Sequence, residues 1–328
     1  MPKDLTQLAL LTELEPIAEA NLNRHLSMAK EWHPHDYVPW DDGRNFAALG
    51  GTDWEPAQSR LSEVAKAAMI TNLLTEDNLP SYHRVIAENF SRDGAWGTWV
   101  GRWTAEENRH GIVMRDYLVV TRGVDPVELE RARMAAMTTG FDPMTAIRHS
   151  DVGAAAELAD GSVLHGLAYV TFQELATRVS HRNTGKVCDD LIADQMLQRI
   201  AADENLHMIF YRNLCGAALD LAPDQALEAI TFMLLNFQMP GAGNPNFLRY
   251  GALMAKNGIY DMRQHLDEVV LPVLRKWKIF ERNDFTARGE NTRERLAEFL
   301  EKYRQDTLRF EERRDRIADR LSRAEAGR

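Results

Sequence analysis

Cysteine is scarce in this chain of 328 residues, and its two cysteines exclude several kinds of protein. Cys188 and Cys215 lack CxxC spacing, so they do not form a Cys-rich zinc or iron–sulfur site. Two cysteines also cannot supply a disulfide framework. We therefore expect a cytoplasmic protein, because a reducing compartment suits a chain without disulfides.

Long apolar runs and positive charge are also missing. No apolar run reaches the roughly eighteen residues that a membrane-spanning helix needs, and no continuous apolar segment typical of a signal peptide follows the first residues. Asp and Glu (49) outnumber Lys and Arg (39), which gives a net charge of −10. We expect a protein that is neither membrane-spanning nor exported, and that does not bind nucleic acid, since such binding requires a basic face.

Helical periodicity is what the chain has instead. Apolar residues recur at helical spacing from Leu5 to Leu26 and from Leu61 to about Gln238, while strand-like alternation is scarce. Between them, the segment from His33 to Glu55 is rich in Trp, Pro, Asp and Gly. The aromatic side chains in and beside it, Trp40 among them, must be buried somewhere, which predicts an ordered loop or lid.

The end of the chain has a different composition. A Pro/Gly-rich passage from Met239 to Pro245 precedes the last helical part, and the final forty residues carry much charge and few apolar side chains. We predict a helical domain over residues 1–286 and a charged C-terminal helix or partly disordered tail over 287–328.

Two short motifs point to a metal site. Of the ten histidines, only His110 and His207 have a glutamate three positions earlier, Glu107 and Glu204. On a helix, this spacing puts both side chains within reach of one ion. Both motifs also continue apolar stripes, and a carboxylate on such a stripe must be paired, protonated or bound to metal.

Each motif follows a segment that carries one acid on its own apolar stripe. Glu76 lies 31 residues before Glu107, and Glu174 lies 30 residues before Glu204. We expect one helix from Leu61 to Ile86 around Glu76, with a kink at Pro80. Two such units supply four carboxylates and two imidazoles to one core, which is the ligand set of ferritin-like di-iron proteins. The predicted fold is all-α, a ferritin-like four-helix bundle core with additional helices.

Longer passages resemble the soluble acyl-acyl carrier protein desaturases. The most specific is Thr-Ala-Glu-Glu-Asn-Arg-His at 104–110. The other passages that carry the resemblance are 74–82, 171–184 and 202–207, and those closest to the mycobacterial branch are 23–26, 34–40 and 237–240.

This resemblance implies a homodimeric, cytosolic enzyme. It would use O2 and two electrons from reduced ferredoxin to place a cis double bond in a fatty acyl chain carried on acyl carrier protein. It implies two ferrous ions (Fe2+), with Glu107 and Glu204 bridging them. The ligands of one ion would be Glu76, Glu107 and His110, and those of the other Glu174, Glu204 and His207.

Three further residues take roles from the same resemblance. Thr177 corresponds to a hydroxyl near the oxygen site. Trp32 and Asp203, with His110, correspond to an electron route from the surface to the metal. Trp32 also suits simple packing of the lid, and Asp203 is equally suited to orient His207 through its free ring nitrogen.

Docking of an acidic carrier protein requires a local basic patch on this acidic chain. The sequence offers two candidates: Arg275, Lys276 and Lys278 around Trp277, or Arg178, Arg182 and Lys186. No GxGxxG loop, Walker A loop or iron–sulfur pattern occurs, so the electrons must come from a separate protein.

Other functions share part of this pattern. A di-iron hydroxylase or N-oxygenase would use the same ligands, and a non-catalytic ferritin-like iron-binding protein would need only a shorter bundle. A ribonucleotide reductase radical subunit would place tyrosine four residues after the first motif's histidine, where this chain has Met114. Membrane desaturases use HxxxH and HxxHH clusters, which are absent from the sequence.

Overall fold

The computed structural model describes residues 4–140, 162–238 and 246–326. These residues form α-helices, one π-helical segment and short 3-10 turns, and they contain no β-strand, so the predicted all-α class is confirmed. The helices are α1 (Gln7–Met28), α2 (Glu63–Glu76), α3 (Leu79–Asn89), α4 (Gly94–Val120), α5 (Pro126–Thr139), α6 (Ser162–Val187), α7 (Leu191–Leu221), α8 (Pro223–Leu235), α9 (Phe247–Lys256), α10 (Met262–Gln264), α11 (Leu271–Lys276) and α12 (Ala287–Ala326).

Four helices form the central bundle. Helix α6 packs along α7, α4 contacts both α2 and α7, and α2 contacts α6. Helix α1 lies against α4 and α7. Trp96, Trp99 and Trp103 of α4 are all buried inside this arrangement, so the stripe predicted from their spacing faces the core.

The helix predicted from Leu61 to Ile86 is in fact two helices, α2 and α3. Helix α2 ends at Glu76, and Asp77 and Asn78 form the turn before α3. Pro80 has no N–H, so it cannot donate to the carbonyl of Glu76, and it is tolerated in the first turn of the new helix. Arg133 of α5 binds the Asp77 carboxylate at 2.6 and 2.9 Å and holds this turn in place.

The segment between α1 and α2 is an ordered loop with several 3-10 turns. Arg122 fastens it by donating to the carbonyls of Asn45 and Thr52 at 3.1 and 3.0 Å. Trp32 is buried at the start of the segment, but Trp40 is 52% exposed, so the expectation that it would be buried is wrong. The 3-10 turn Trp40–Asp42 projects this ring outward.

The charged C-terminal residues form one long helix, α12, over Ala287–Ala326. Its first half packs on α8, with Leu296 and Thr307 fully buried. Arg263 binds Glu311 of this helix through two hydrogen bonds of 2.9 and 2.6 Å. The division into residues 1–286 and 287–328 stays a prediction. None of the described helices is long and apolar enough to cross a membrane.

Candidate metal centre

All six residues predicted as metal ligands lie together in the bundle. Each is at most 6% exposed. Their ligand atoms form two groups, and within each group the atoms lie within 4.8 Å of one another. The first group contains Glu76, Glu107, His110 and Glu204, and the second contains Glu107, Glu174, Glu204 and His207. Glu107 and Glu204 belong to both groups, so they lie between two adjacent spaces.

The atoms that face these spaces lack hydrogen-bond partners within the described parts of the chain. They are Glu107 Oε1, His110 Nδ1, Glu174 Oε2, both oxygens of Glu204 and His207 Nδ1. A cluster of unpaired buried polar atoms is costly, and bound cations would satisfy all of them. Carboxylate oxygens and imidazole nitrogens suit divalent first-row metals, so the residues present fit a pair of such ions.

The electrostatics of the cluster also favour cations. Burial and the negative charges of Glu107 and Glu204 raise the pKa of Glu174 well above its usual value. Burial alone would lower the pKa of His110, but its contacts with the surrounding carboxylates raise it well above the ordinary range. Protons therefore offset the negative charge when no cation is present, and metal binding releases them.

Each histidine turns Nδ1 toward the centre and Nε2 toward an acid outside it. The Nε2 atom of His110 lies 3.4 Å from Asp203 Oδ2, and that of His207 lies 2.8 Å from Glu106 Oε2. Asp203 therefore contacts His110, and the alternative in which it orients His207 is wrong. Burial alone would raise the pKa of Asp203, but the hydrogen bond with His110 and nearby positive charges lower it to about 2. This keeps the acid an ionised acceptor.

Trp32 lies directly against the Asp203–His110 pair. Its indole Nε1 donates to Asp203 Oδ2 at 2.7 Å, and its ring is nearly parallel to the His110 ring, at 6.2 Å. Arg109 stacks over the other part of this contact, with its guanidinium carbon 4.2 Å from the Trp32 ring centroid. Tyr37 packs edge-on against Trp32, so the indole serves loop packing as well as contacting the acid.

Thr177 lies one turn after Glu174 on α6 and is buried. Its hydroxyl donates to the backbone carbonyls of Gln173 and Glu174, at 3.1 and 3.0 Å. It lines a small cavity of about 60 Å³, called the chamber below, together with Thr75 and His181. The hydroxyl therefore lies beside the metal centre and is held by its own helix.

Three functional candidates were not found from the sequence: His25, Glu106 and His181. His181 lies two turns after Glu174, and its Nε2 is 2.8 Å from Glu76 Oε1. Glu106 immediately precedes Glu107, just as Asp203 precedes Glu204. The repeated acid before each motif was a signal for Glu106, whereas nothing local marks His25.

A larger groove of about 660 Å³ opens at the surface between α2, α5 and α9. Its apolar lining includes Ile70, Leu74 and Leu129. Thr71 and Phe247 line both this groove and the chamber. The groove and the chamber are therefore adjacent, separated by these two side chains.

A helical bundle whose core gathers four carboxylates and two imidazoles belongs to the ferritin-like class of carboxylate metal proteins. The family model described as "Fatty acid desaturase" matches residues 6–325. The chain is 57% identical over 323 residues to acyl-[acyl-carrier-protein] desaturase DesA1 of Mycobacterium tuberculosis, covering 98% of this chain and 94% of that protein. It belongs to the fatty acid desaturase family, and the resemblance to the mycobacterial branch is confirmed.

A solved structure and a plant relative agree with this assignment. The X-ray structure of acyl-ACP desaturase DesA2 from M. tuberculosis H37Rv matches with a TM-score of 0.67 at 33% identity, covering 82% of this chain and 95% of that chain. A chloroplastic stearoyl-[acyl-carrier-protein] 9-desaturase of Gossypium hirsutum is 27% identical, over 94% of this chain and 77% of its own length. The predicted ferritin-like fold is confirmed.

Proposed function

We propose that this chain is an acyl-[acyl-carrier-protein] desaturase. It uses O2 and two electrons from a ferredoxin-type donor to place a cis double bond in a fatty acyl chain carried on acyl carrier protein. The observation that carries the proposal is the pair of ligand groups that share Glu107 and Glu204, in a chain 57% identical to DesA1. Family membership alone would leave the chemistry of this site open.

The metal ligands in this proposal are the six clustered residues. Glu76, Glu107 and His110 would hold one ferrous ion. Glu174, Glu204 and His207 would hold the other, with Glu107 and Glu204 bridging. When bound, the iron pair supplies the O2-derived oxidising power needed to remove hydrogen from an unactivated methylene, which no side chain can do.

The surrounding residues hold this site in one arrangement. Asp203 and Glu106 fix the ring planes of His110 and His207, which keeps each Nδ1 lone pair aimed at the centre. We assign Trp32 to electron entry, because its indole is hydrogen-bonded to the acid that contacts His110. Thr177 provides the hydroxyl nearest the oxygen site in this assignment.

The acyl chain would enter between α2 and α9. The groove offers apolar walls at the surface, and the chamber lies against His181, whose ring contacts Glu76. A chain passing Thr71 and Phe247 would go from one to the other. The earlier candidates Phe172 and Met114 are fully buried core residues and line neither space.

For the carrier protein, the patch of Arg275, Lys276 and Lys278 is the stronger candidate. None of these three has an ion-pair partner within the described ranges, and all three are exposed. In the other patch, Arg182 is paired with Asp194 at 2.6 Å. Reversing the charges of Arg275, Lys276 and Lys278 should weaken carrier-protein binding at low salt. Unchanged affinity would remove this patch, and the homodimer and the cytoplasmic location also stay predictions.

One experiment tests the enzymatic proposal and separates its alternatives. The iron-loaded protein is given reduced ferredoxin, O2 and stearoyl or palmitoyl carrier protein, and the acyl products are identified by mass spectrometry. We expect an alkene. An alcohol would indicate a hydroxylase, and an unchanged chain with full iron loading and confirmed reduction would contradict the proposal for those substrates.

A further inference from the structure

The acid before each ExxH motif reaches the histidine of the other motif. Glu106 of α4 contacts His207 of α7, and Asp203 of α7 contacts His110 of α4. The two halves of the duplicated unit are therefore cross-connected outside the metal centre. Each acid must hold its position, because it sets the plane and the tautomer of a histidine on another helix.

The two acids are held by different aromatic residues. Asp203 accepts from the indole of Trp32, which is stacked on His110. On the other side, His25 of α1 lies with Nε2 3.0 Å from Glu106 Oε2, and its ring is stacked on His207 at 5.7 Å. His25 thus occupies beside the second histidine the place that Trp32 occupies beside the first.

The hydrogen bonds around Glu106 define which nitrogen carries hydrogen. Arg102 Nε donates to Oε1 of Glu106 at 2.6 Å, so both histidines share Oε2. A carboxylate oxygen accepts, so His25 and His207 each donate from Nε2. The Nδ1 atom of His207 is then left with its lone pair, facing the carboxylates of the centre.

Simple packing does not account for a histidine at this position. His25 is only 1% exposed and lies edge-on to Trp99 at 5.0 Å, which is a setting that suits an apolar ring. Its one polar contact within the described residues is with Glu106. Without that contact, Glu106 would rotate about its side-chain bonds with Arg102 and His207 as its only partners.

We propose that His25 is a positioning residue for the second metal site, acting through Glu106 on His207. It has no counterpart role at the first site, where the redox-active indole of Trp32 stands instead. The two ions are thereby made inequivalent, and the electron route is confined to the His110 side. This inference rests on the proposed function for the identity of the ions.

The test uses His25→Phe, which removes the donor, His25→Gln, which keeps an N–H within reach of Glu106, and Trp32→Phe as the matched change on the other side. Each protein is loaded with Mössbauer-active ferrous iron, and binding is titrated for both ions. We expect His25→Phe to weaken one of the two ions by about tenfold or more and to alter the signal of that ion only. His25→Gln should restore most of both, and Trp32→Phe should leave that ion's signal unchanged.

Several outcomes would overturn the proposal. They are unchanged signals and affinities in His25→Phe, equal effects on both ions, or failure of His25→Gln to restore the wild-type signal. If His25→Phe does not fold, as judged by its melting transition, His25→Asn replaces it, because its shorter side chain does not reach Glu106. Wild-type protein that binds iron but forms no alkene would contradict the proposed function alone, while unaltered His25→Phe spectra in an active enzyme would contradict this inference alone.

Discussion

Trp32 and Asp203, which are 171 positions apart in the sequence, are joined by a hydrogen bond of 2.7 Å. Arg109 donates to the same oxygen at 2.9 Å and also to the backbone carbonyl of Trp32 at 3.0 Å. The start of the loop after α1 is therefore fastened to α4 and α7 beside His110. This contact joins a near-surface aromatic ring to a candidate metal ligand through a single acid.

Trp32→Phe should slow reduction of the iron centre by reduced ferredoxin by about tenfold or more, because the ring remains but its hydrogen bond to Asp203 is lost. Iron content should stay at the wild-type level, since Arg109 and Arg199 still hold Asp203. Stopped-flow absorption measures the reduction rate. Trp40→Phe is the control, because Trp40 belongs to the same loop and is half exposed. Equal rates for wild type and Trp32→Phe would exclude this route.

Glutamine substitutions should divide the four glutamates into two classes. Glu107→Gln and Glu204→Gln should lower iron binding at both sites, because each residue belongs to both ligand groups. Glu76→Gln and Glu174→Gln should each weaken mainly one ion. Metal analysis after gel filtration gives the ratio of iron to protein.

Glu63→Gln is the matched control for this series, because Glu63 is also on α2 and its side chain is 80% exposed. It should retain the wild-type ratio. If Glu107→Gln lost only one ion, the bridging assignment would be wrong.

Gly251 should determine how well long acyl chains fit. It lines the chamber on α9, and a Cβ atom there would meet nothing within 4 Å. Gly251→Leu should therefore fill the passage and lower kcat/KM for stearoyl carrier protein by about tenfold, with a smaller effect for myristoyl carrier protein. Gly251→Ala should raise the free energy of unfolding by about 0.5–1 kcal/mol, because alanine favours the helix.

Gly101 provides the control for Gly251. It lies within α4, is exposed, and also leaves open space for a Cβ atom. Gly101→Leu should leave the chain-length preference unchanged, measured as kcat/KM for each acyl carrier substrate. Identical preferences for Gly251→Leu and wild type would place the acyl passage elsewhere.

His265 should make the fold less stable in mild acid. Burial lowers its pKa to about 4, and its Nδ1 lies 2.8 Å from the Tyr260 hydroxyl. The unfolded chain takes up this proton near pH 6.5, but the folded chain does so only near pH 4, so the free energy of unfolding falls as pH drops between these values. This group should contribute a loss of about 2 kcal/mol between pH 7 and pH 5.

Urea unfolding of wild type and His265→Asn at both pH values measures this contribution. Asparagine keeps an acceptor for Tyr260 and does not titrate, so the loss in the variant should be smaller by about the same amount. The other titrating groups are common to both proteins and cancel in the comparison. An equal loss in both proteins would show that His265 is not the titrating group.

The six clustered residues could be predicted from the sequence because their signals are local or regular. The spacing of Glu107 and His110 is that of one helical turn, and the distance from Glu76 to Glu107 recurs between Glu174 and Glu204. The contacts of Glu106 and His25 could not be predicted in the same way. They depend on which helix lies opposite which, and that is set by packing of the whole bundle.

The missed break between α2 and α3 has a geometric reason. Asp77 and Asn78 keep right-handed helical backbone angles, with φ values of −63° and −75°. The apolar stripe therefore stays in phase across the turn, and periodicity alone reads it as one helix. The exposed Trp40 shows the converse limit, because composition indicates how much apolar area a segment has but not which ring faces outward.

The sharing of Glu107 and Glu204 also affects how the protein is assembled and handled. The first ligand group draws on α2, α4 and α7, and the second on α4, α6 and α7. Neither half of the chain contains a complete group, so a fragment or a half-folded chain offers no full coordination sphere. Tightly held metal would count only molecules whose N-terminal and C-terminal halves have come together, which makes the ratio of metal to protein a gauge of the native fraction in a preparation.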